Sequence, residues 1–75
     1  MNMKTPAVEV FKTDVEDEVN AREIIQTLVR RFPGSRVNFD LQDCDRVLRV
    51  EGIDLCSESI ILLMNESGFS CTILE

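Results

Sequence analysis

Three cysteines have the widest chemical range of any side chains in this sequence. Cys44, Cys56 and Cys71 are separated by twelve and fifteen residues, so no pair has the C-x-x-C spacing with which one loop binds a soft metal. An odd number of cysteines without a secretion signal is typical of reduced thiols. We expect Cys44 to be exposed, and Cys71 and Cys56 to be small core residues.

Acidic side chains are the second group with possible chemistry, and they fall into two short segments of the chain. These residues are Asp14, Glu16, Asp17, Glu18, Asp43 and Asp45. Carboxylates bind Ca²⁺ or Mg²⁺ when several oxygens converge, but no EF-hand spacing is present. The candidate metal ligands are Cys44, Asp17, Asp43 and Asp45. We expect no metal, because acidic residues before a helix also favour its positive end and keep a surface soluble.

The composition argues against several classes of function. The chain lacks histidine, which is the usual general base and the commonest metal ligand. Eight basic against fourteen acidic side chains give a net charge of −6, which disfavours nucleic acids and anionic membranes as partners. No apolar run approaches the ~18 residues of a membrane span. The first six residues lack the apolar stretch of a signal peptide, so we expect a cytoplasmic protein.

Apolar spacing in the first half of the chain predicts a strand, a helix and another strand. Residues 7–13 are rich in valine and phenylalanine, which favours a strand. Residues 21–32 have apolar side chains at helical spacing, and the helix is capped either at Asn20, in a capping box, or at Asp17. Residues 37–41 alternate between apolar and polar, which is typical of a strand with one buried face.

The second half of the chain also predicts a strand, a helix and another strand. Residues 47–51 alternate as the returning strand of a hairpin. A second helix follows, capped by Asp54 or Ser57 and ended by Gly68. A short strand over residues 69–73 closes the chain. The predicted order is therefore β-α-β-β-α-β.

This order predicts an α+β, ferredoxin-like fold, with a four-stranded antiparallel sheet and two helices on one face. Seventy-five residues allow one domain, which we assign to residues 7–75 after a short tail of residues 1–6. The six acidic residues named above should then meet at one end of the molecule, which we call the acidic pole. Cys44 should lie with them, and Cys56 should lie at the opposite end.

Several short stretches between residues 8 and 74 share one pattern: residues 32–34, residues 37–41, Asp54, Ile60, Leu63, Met64 and residues 68–74. With them the chain resembles the heavy-metal-associated domain of copper chaperones and metal-pumping ATPases. They resemble that family's turn after the first helix, its second strand, its second-helix cap and core, and its closing strand. The resemblance implies the same ferredoxin-like fold.

The metal-binding loop of that family, Gly-Met-x-Cys-x-x-Cys, lacks its ligands in this chain. One alignment puts Asp17 and Asn20 at the two cysteine positions, with Val15 at the methionine. An alignment shifted by one residue puts Glu18 and Ala21 there. Neither alignment supplies a thiol, so the family's Cu(I) or Zn(II) site does not carry over and we expect no cofactor.

The first strand has apolar residues at both odd and even positions, which point to opposite faces of the sheet. Phe11 and the pair Val8 and Val10 point to opposite faces, and only one set can face the helices. The other set lies on the open face of the sheet, where an exposed valine or phenylalanine beside a free edge strand favours pairing. We therefore expect a weak homodimer through the sheet.

These patterns together indicate a non-catalytic domain that works as a protein-interaction or self-association module, with an unidentified protein partner. One alternative is a metal-handling protein that uses Cys44 or the acidic pole. Another is a small-molecule-sensing ferredoxin-like domain, although no residue selects a ligand. An acylphosphatase, which shares the element order, is disfavoured because the acidic first loop would repel phosphate. We expect no enzyme activity.

Overall fold

The structure is a computed structural model that describes residues 6–74. It contains the six predicted elements in the predicted order: β1 (Ala7–Thr13), α1 (Glu18–Arg31), β2 (Arg36–Asp40), β3 (Val47–Gly52), α2 (Ser57–Glu66) and β4 (Cys71–Ile73). Of the predicted tail, only Pro6 is among the described residues, where it is exposed and precedes β1. The rest of the tail, and the last residue of the predicted domain, lie outside the described residues.

The four strands form one antiparallel sheet in the order β2-β3-β1-β4. Phe11 of β1 lies opposite Leu48 of β3 on one side and Ile73 of β4 on the other. Phe39 of β2 also lies opposite Leu48, so one row of side chains crosses the whole sheet. This topology confirms the predicted ferredoxin-like α+β fold.

The core lies between the two helices and one face of the sheet. Its fully buried side chains are Phe11, Val15, Leu28, Leu48, Val50, Ile60 and Met64. The strands contribute side chains of a single parity, while α1 and α2 contribute residues spaced three or four apart. Each fully buried aliphatic or aromatic side chain stabilises the fold by about 1.5–3 kcal/mol. Within residues 6–74, the opposite face of the sheet is left without a helix.

The two helices begin differently. At α1, the Asp17 carboxylate accepts a hydrogen bond from the Asn20 backbone N–H at 2.8 Å. Of the two predicted N-caps, Asp17 is therefore confirmed and Asn20 is wrong. At α2, both predicted caps are wrong, because Cys56 is the N-cap and makes no side-chain capping bond. Asp54 has a left-handed backbone, with φ +60°, inside the preceding turn, and Ser57 is already helical.

β4 is shorter than predicted because Gly68 and Phe69, which precede it, form the C-terminal cap of α2. The Phe69 N–H donates to the Met64 carbonyl at 3.0 Å and the Gly68 N–H to the Asn65 carbonyl at 3.0 Å, which is the Schellman pattern. This motif requires the left-handed backbone that Gly68 has, with φ +95°. Phe69 therefore packs half-buried beside the core instead of pairing in the sheet.

Candidate functional site

The predicted acidic pole forms, because the end of β1 is tied to the turn between β2 and β3. The Thr13 N–H donates to the Asp45 carbonyl at 3.0 Å, and the Thr13 hydroxyl donates to the Arg46 carbonyl at 2.6 Å. Lys12 Nζ lies 3.7 Å from Asp45 Oδ1. The segment before β4 joins them, since the Ser70 N–H donates to Asp14 Oδ1 at 2.9 Å. Two acidic segments far apart in sequence thus lie at one end of the sheet.

Three of the four candidate metal ligands lie together in the turn. The ligand atoms of Asp43, Cys44 and Asp45 are all within 4.8 Å of one another, and Cys44 is exposed as predicted. Two of the three already have partners: Asp43 Oδ1 accepts from the Asp45 N–H at 2.9 Å, and Asp45 pairs with Lys12. One thiol and two carboxylates also mix soft and hard donors, which matches the preference of neither Cu(I) nor Ca²⁺.

The fourth candidate ligand, Asp17, is occupied as a helix cap. Its Oδ1 accepts from the Asn20 backbone N–H, and its Oδ2 accepts from Asn20 Nδ2 at 2.9 Å. Among the described residues, the group of possible metal ligands does not include it. Its carboxylate therefore stabilises the first turn of α1.

The two possible alignments of the metal loop differ in geometry. Asp17 and Asn20 face each other across the first turn of α1, with their side chains 2.9 Å apart. In the shifted pair, Glu18 is exposed whereas Ala21 is 5 % exposed and packs in the core, so the two side chains differ in burial. Val15, aligned with the methionine, is fully buried. A carboxylate–amide pair therefore occupies the position at which two side chains could hold one ligand.

The cysteines have three different environments. Cys71 is buried, as predicted, and burial raises the pKa of its thiol to about 11. Cys56 is exposed, so its predicted core position is wrong. Its N-cap position leaves the side chain outside the helix, and a hydrogen bond with Ser59 lowers the pKa of the Cys56 thiol. The exposure of Cys56 was not predicted from the sequence, because the N-cap of α2 was assigned to Asp54 or Ser57.

The helical side has a groove between α1 and the end of α2, with a volume of about 420 Å³. Three of its polar side chains already donate to the chain itself. Thr27 donates to the Glu23 carbonyl at 2.9 Å, Ser67 to the Leu63 carbonyl at 3.0 Å, and Asn20 to Asp17. Small-molecule sites need polar groups that converge on the ligand. Gln26 and Arg30 also line this groove, so an amide and a guanidinium remain as donors for the sensor alternative.

The face of the sheet opposite the helices carries an aliphatic group. Val8 is 47 % exposed and Val10 is partly exposed, which confirms that this set points away from Phe11 and the core. Leu74 lies beside Val10, with its N–H donating to the Val10 carbonyl at 2.9 Å. Within residues 6–74, no helix covers these side chains.

β2 and β4 are the two edges of the sheet. β2 is the longer edge, with five residues, and α1 lies beside it. A groove between them is lined partly by Ile25, Phe39 and Leu41, which are half-buried. The alternation of β2 was visible in the sequence, but its position at an edge depended on the strand order.

Comparison with family models, curated proteins and solved structures gives no match for this chain. Within the described part of the chain, neither helix combines the length and apolar character that crossing a membrane requires.

Proposed function

We propose that this chain is a non-catalytic, cytoplasmic interaction module, related to heavy-metal-associated domains, that binds protein through its sheet. The observation that carries the proposal is the aliphatic group formed by Val8, Val10 and Leu74, which no helix covers in residues 6–74. Aliphatic side chains grouped beside free sheet edges are typical of association surfaces. The first loop supports the proposal, because Asp17 and Asn20 bind each other there and no thiol is present.

The charge distribution supports the same surface. The face that carries the aliphatic group has three basic residues, Lys12, Arg36 and Arg49, and two acidic residues, Asp40 and Glu51. The chain as a whole has 8 basic against 14 acidic residues, so its excess negative charge lies elsewhere. A protein that approaches the sheet meets a nearly neutral surface, whereas the acidic pole repels other acidic proteins and phosphate backbones.

Site-specific photo-crosslinking tests this proposal. A benzophenone side chain is placed at Arg49, in the middle of the uncovered face, or at Asn38, on the edge strand. The matched control is Glu23, which is exposed on α1. Irradiation in the native cells should give defined protein adducts, including a second copy of the chain, from the sheet positions. Equal yields from Glu23, or no adducts from either sheet position, would contradict a sheet-borne interaction.

A metal-handling function is the second candidate, because Asp43, Cys44 and Asp45 place their ligand atoms within 4.8 Å of one another. Competition against a chromophoric chelator tests it with Cu(I) and Zn(II) separately. We expect no transfer of metal to the wild-type protein, because too few donors of one type converge. Stoichiometric binding that Cys44→Ser abolishes, while Cys56→Ser retains it, would favour the metal-handling function instead.

A further inference from the structure

Among the residues that the structure describes, no strand pairs with the outer side of β2, at the edge beside which α1 lies. We propose that the partner at this edge is a second copy of the chain, with β2 pairing antiparallel to its copy about a two-fold axis through Asn38. This inference rests on the proposed function, and it specifies both the occupant and the register. The two four-stranded sheets would join into one of eight strands.

The sequence of β2 is complementary to itself in this register. An antiparallel pair centred on Asn38 places Arg36 opposite Asp40 of the copy, and Asp40 opposite Arg36 of the copy, because a two-fold axis repeats every contact. These residues lie on the uncovered face with Asn38, since they share its parity. Opposite charges directly across an antiparallel ladder stabilise it, and the pairing occurs twice.

The same register also matches the apolar side chains of β2. Val37, which is 8 % exposed, and Phe39, which is half-buried, point to the helical face. Across the axis each Val37 would lie opposite Phe39 of the copy, which is a favourable aliphatic–aromatic cross-strand pair. Shifting the register by one residue would remove both the charge match and this apolar match. Complementarity on both faces therefore selects one register.

The other edge lacks these properties. β4 has only three residues, and a two-fold axis through Thr72 would place Cys71 opposite Ile73 with no charged pair. A three-residue edge also offers fewer backbone hydrogen bonds than the five-residue edge of β2. Alternate residues of an antiparallel pair exchange both of their bonds, which gives about four to six bonds along β2. The β2 edge is thus the better site for pairing with a second copy of the chain.

α1 adds an apolar surface beside β2. Ile25 lines the groove next to Phe39, and Val29, one turn later on α1, is 38 % exposed. Because Val37 and Phe39 face the helices in both copies, an axis beside β2 would place the two α1 helices on the same side of the joined sheet. Ile25 would then lie close to the paired edge, since it lines the groove next to Phe39.

Disulfide trapping tests the register. The variant is Asn38→Cys in a background with Cys44→Ser and Cys56→Ser, which removes the two exposed native thiols. Residues paired across an antiparallel ladder have Cα atoms about 4.5–5.5 Å apart, within the range that a disulfide spans. Mild oxidation should convert most of the protein at about 100 µM into a covalent dimer, and reduction should reverse it.

The matched control is Arg49→Cys in the same background, which puts an exposed thiol on the uncovered face, next to Asn38 but away from the edge. It should stay monomeric on oxidation. A covalent dimer from Arg49→Cys and none from Asn38→Cys would overturn the edge register in favour of face-to-face association. Covalent dimer from neither variant would overturn self-pairing through the sheet.

A charge swap tests the ion pairs by sedimentation equilibrium. Arg36→Asp and Asp40→Arg should each weaken the dimer at least about tenfold, because each places like charges opposite each other twice. The double variant restores opposite charges and should return to within about threefold of wild type. Circular dichroism melts confirm that the variants are folded, and a double variant as weak as the single ones would overturn the register.

Failure of this inference is distinguishable from failure of the proposed function. Sheet-position photo-adducts with a different protein, together with a monomer by sedimentation, would leave the interaction function standing and remove self-pairing. Loss of photo-adducts at both sheet positions would remove the function as well.

Discussion

The hydroxyl of Thr13 offers a sharp test of how the acidic pole is held together. Thr13 is 6 % exposed, and its Oγ1 donates to the Arg46 carbonyl at 2.6 Å and accepts from the Val15 N–H at 3.3 Å. Thr13→Val keeps the branched shape but leaves a carbonyl and an N–H without this partner. A buried polar group that loses its partner costs about 1–3 kcal/mol.

We expect Thr13→Val to lower the free energy of unfolding by about 2 kcal/mol, given that Val15 is fully buried and Arg46 only partly so. For a domain of this size each kcal/mol lowers Tm by about 4–8 °C, so the shift should be about 8–16 °C. The assay is urea and thermal unfolding by far-UV circular dichroism, because the chain has neither tryptophan nor tyrosine.

The matched control is Thr13→Ser, which keeps the hydroxyl and loses only a methyl group. It should lose about 1 kcal/mol or less. If Thr13→Val were as stable as wild type within about 0.5 kcal/mol, or as stable as Thr13→Ser, the hydroxyl would not tie β1 to the turn between β2 and β3.

Three further outcomes follow from the structure. Phe69→Ala should lower the free energy of unfolding, measured in urea, by about 2 kcal/mol. This is less than the ~3–5 kcal/mol expected for a fully buried phenylalanine, because the Phe69 ring is half-buried. A loss above about 4 kcal/mol would contradict the half-buried position. At pH 8, iodoacetamide should label Cys56 quickly and Cys71 only on unfolding, as mass spectrometry would show. Replacing Asp17 and Asn20 together by cysteine should create a thiolate pair on one turn that takes Cu(I) from a competing chelator.

The control for the cysteine pair is the same change at Glu18 and Ala21. Because Ala21 packs in the core and Glu18 is exposed, a thiol at position 21 would be less accessible than one at position 18, so this pair should take less Cu(I). Equal Cu(I) binding by both variants would mean that the loop rearranges freely. Failure of both, with the fold intact, would remove the resemblance of this loop to a metal loop.

The pKa of Cys71 also gives the fold a predictable dependence on pH. The folded pKa, about 11, is raised above the ordinary value of 9.0, so folding favours the protonated thiol. This contribution is fully present below pH 9 and is lost as the pH rises toward 11. The free energy of unfolding should therefore fall more steeply from pH 9 to 11 in wild type than in Cys71→Ala. Equal slopes would contradict the burial of this thiol.

Periodicity predicted the element order and most of the core because burial on one face imposes a repeat of 2 on strands and 3.6 on helices. Phe11 faces the core and Val8 faces away, as parity requires. The predicted caps of α2 were wrong because Asp54 lies in a left-handed turn before the helix and Cys56 takes the N-cap position. Phe69 fell outside β4 because the Schellman motif used its N–H.

The candidate surfaces were harder to predict than the fold. The acidic pole followed from topology, since right-handed crossovers bring the loops of one end together. Parity required Val8 and Phe11 to face opposite sides of the sheet, but the structure was needed to show that Val8 is the uncovered one. The self-complementary edge could not be predicted from the sequence. The charges of β2 can pair with those of a second copy only if β2 is an edge strand, which the strand order shows.

Native mass spectrometry of the untagged protein, purified from its own cells, is the sharpest test of the proposed interaction function, because one spectrum reports bound protein and bound metal together. We predict complexes with protein, either a second copy or another chain, and no stoichiometric metal. A spectrum dominated by monomer carrying one metal ion per chain would contradict it, and would make the acidic pole the working site.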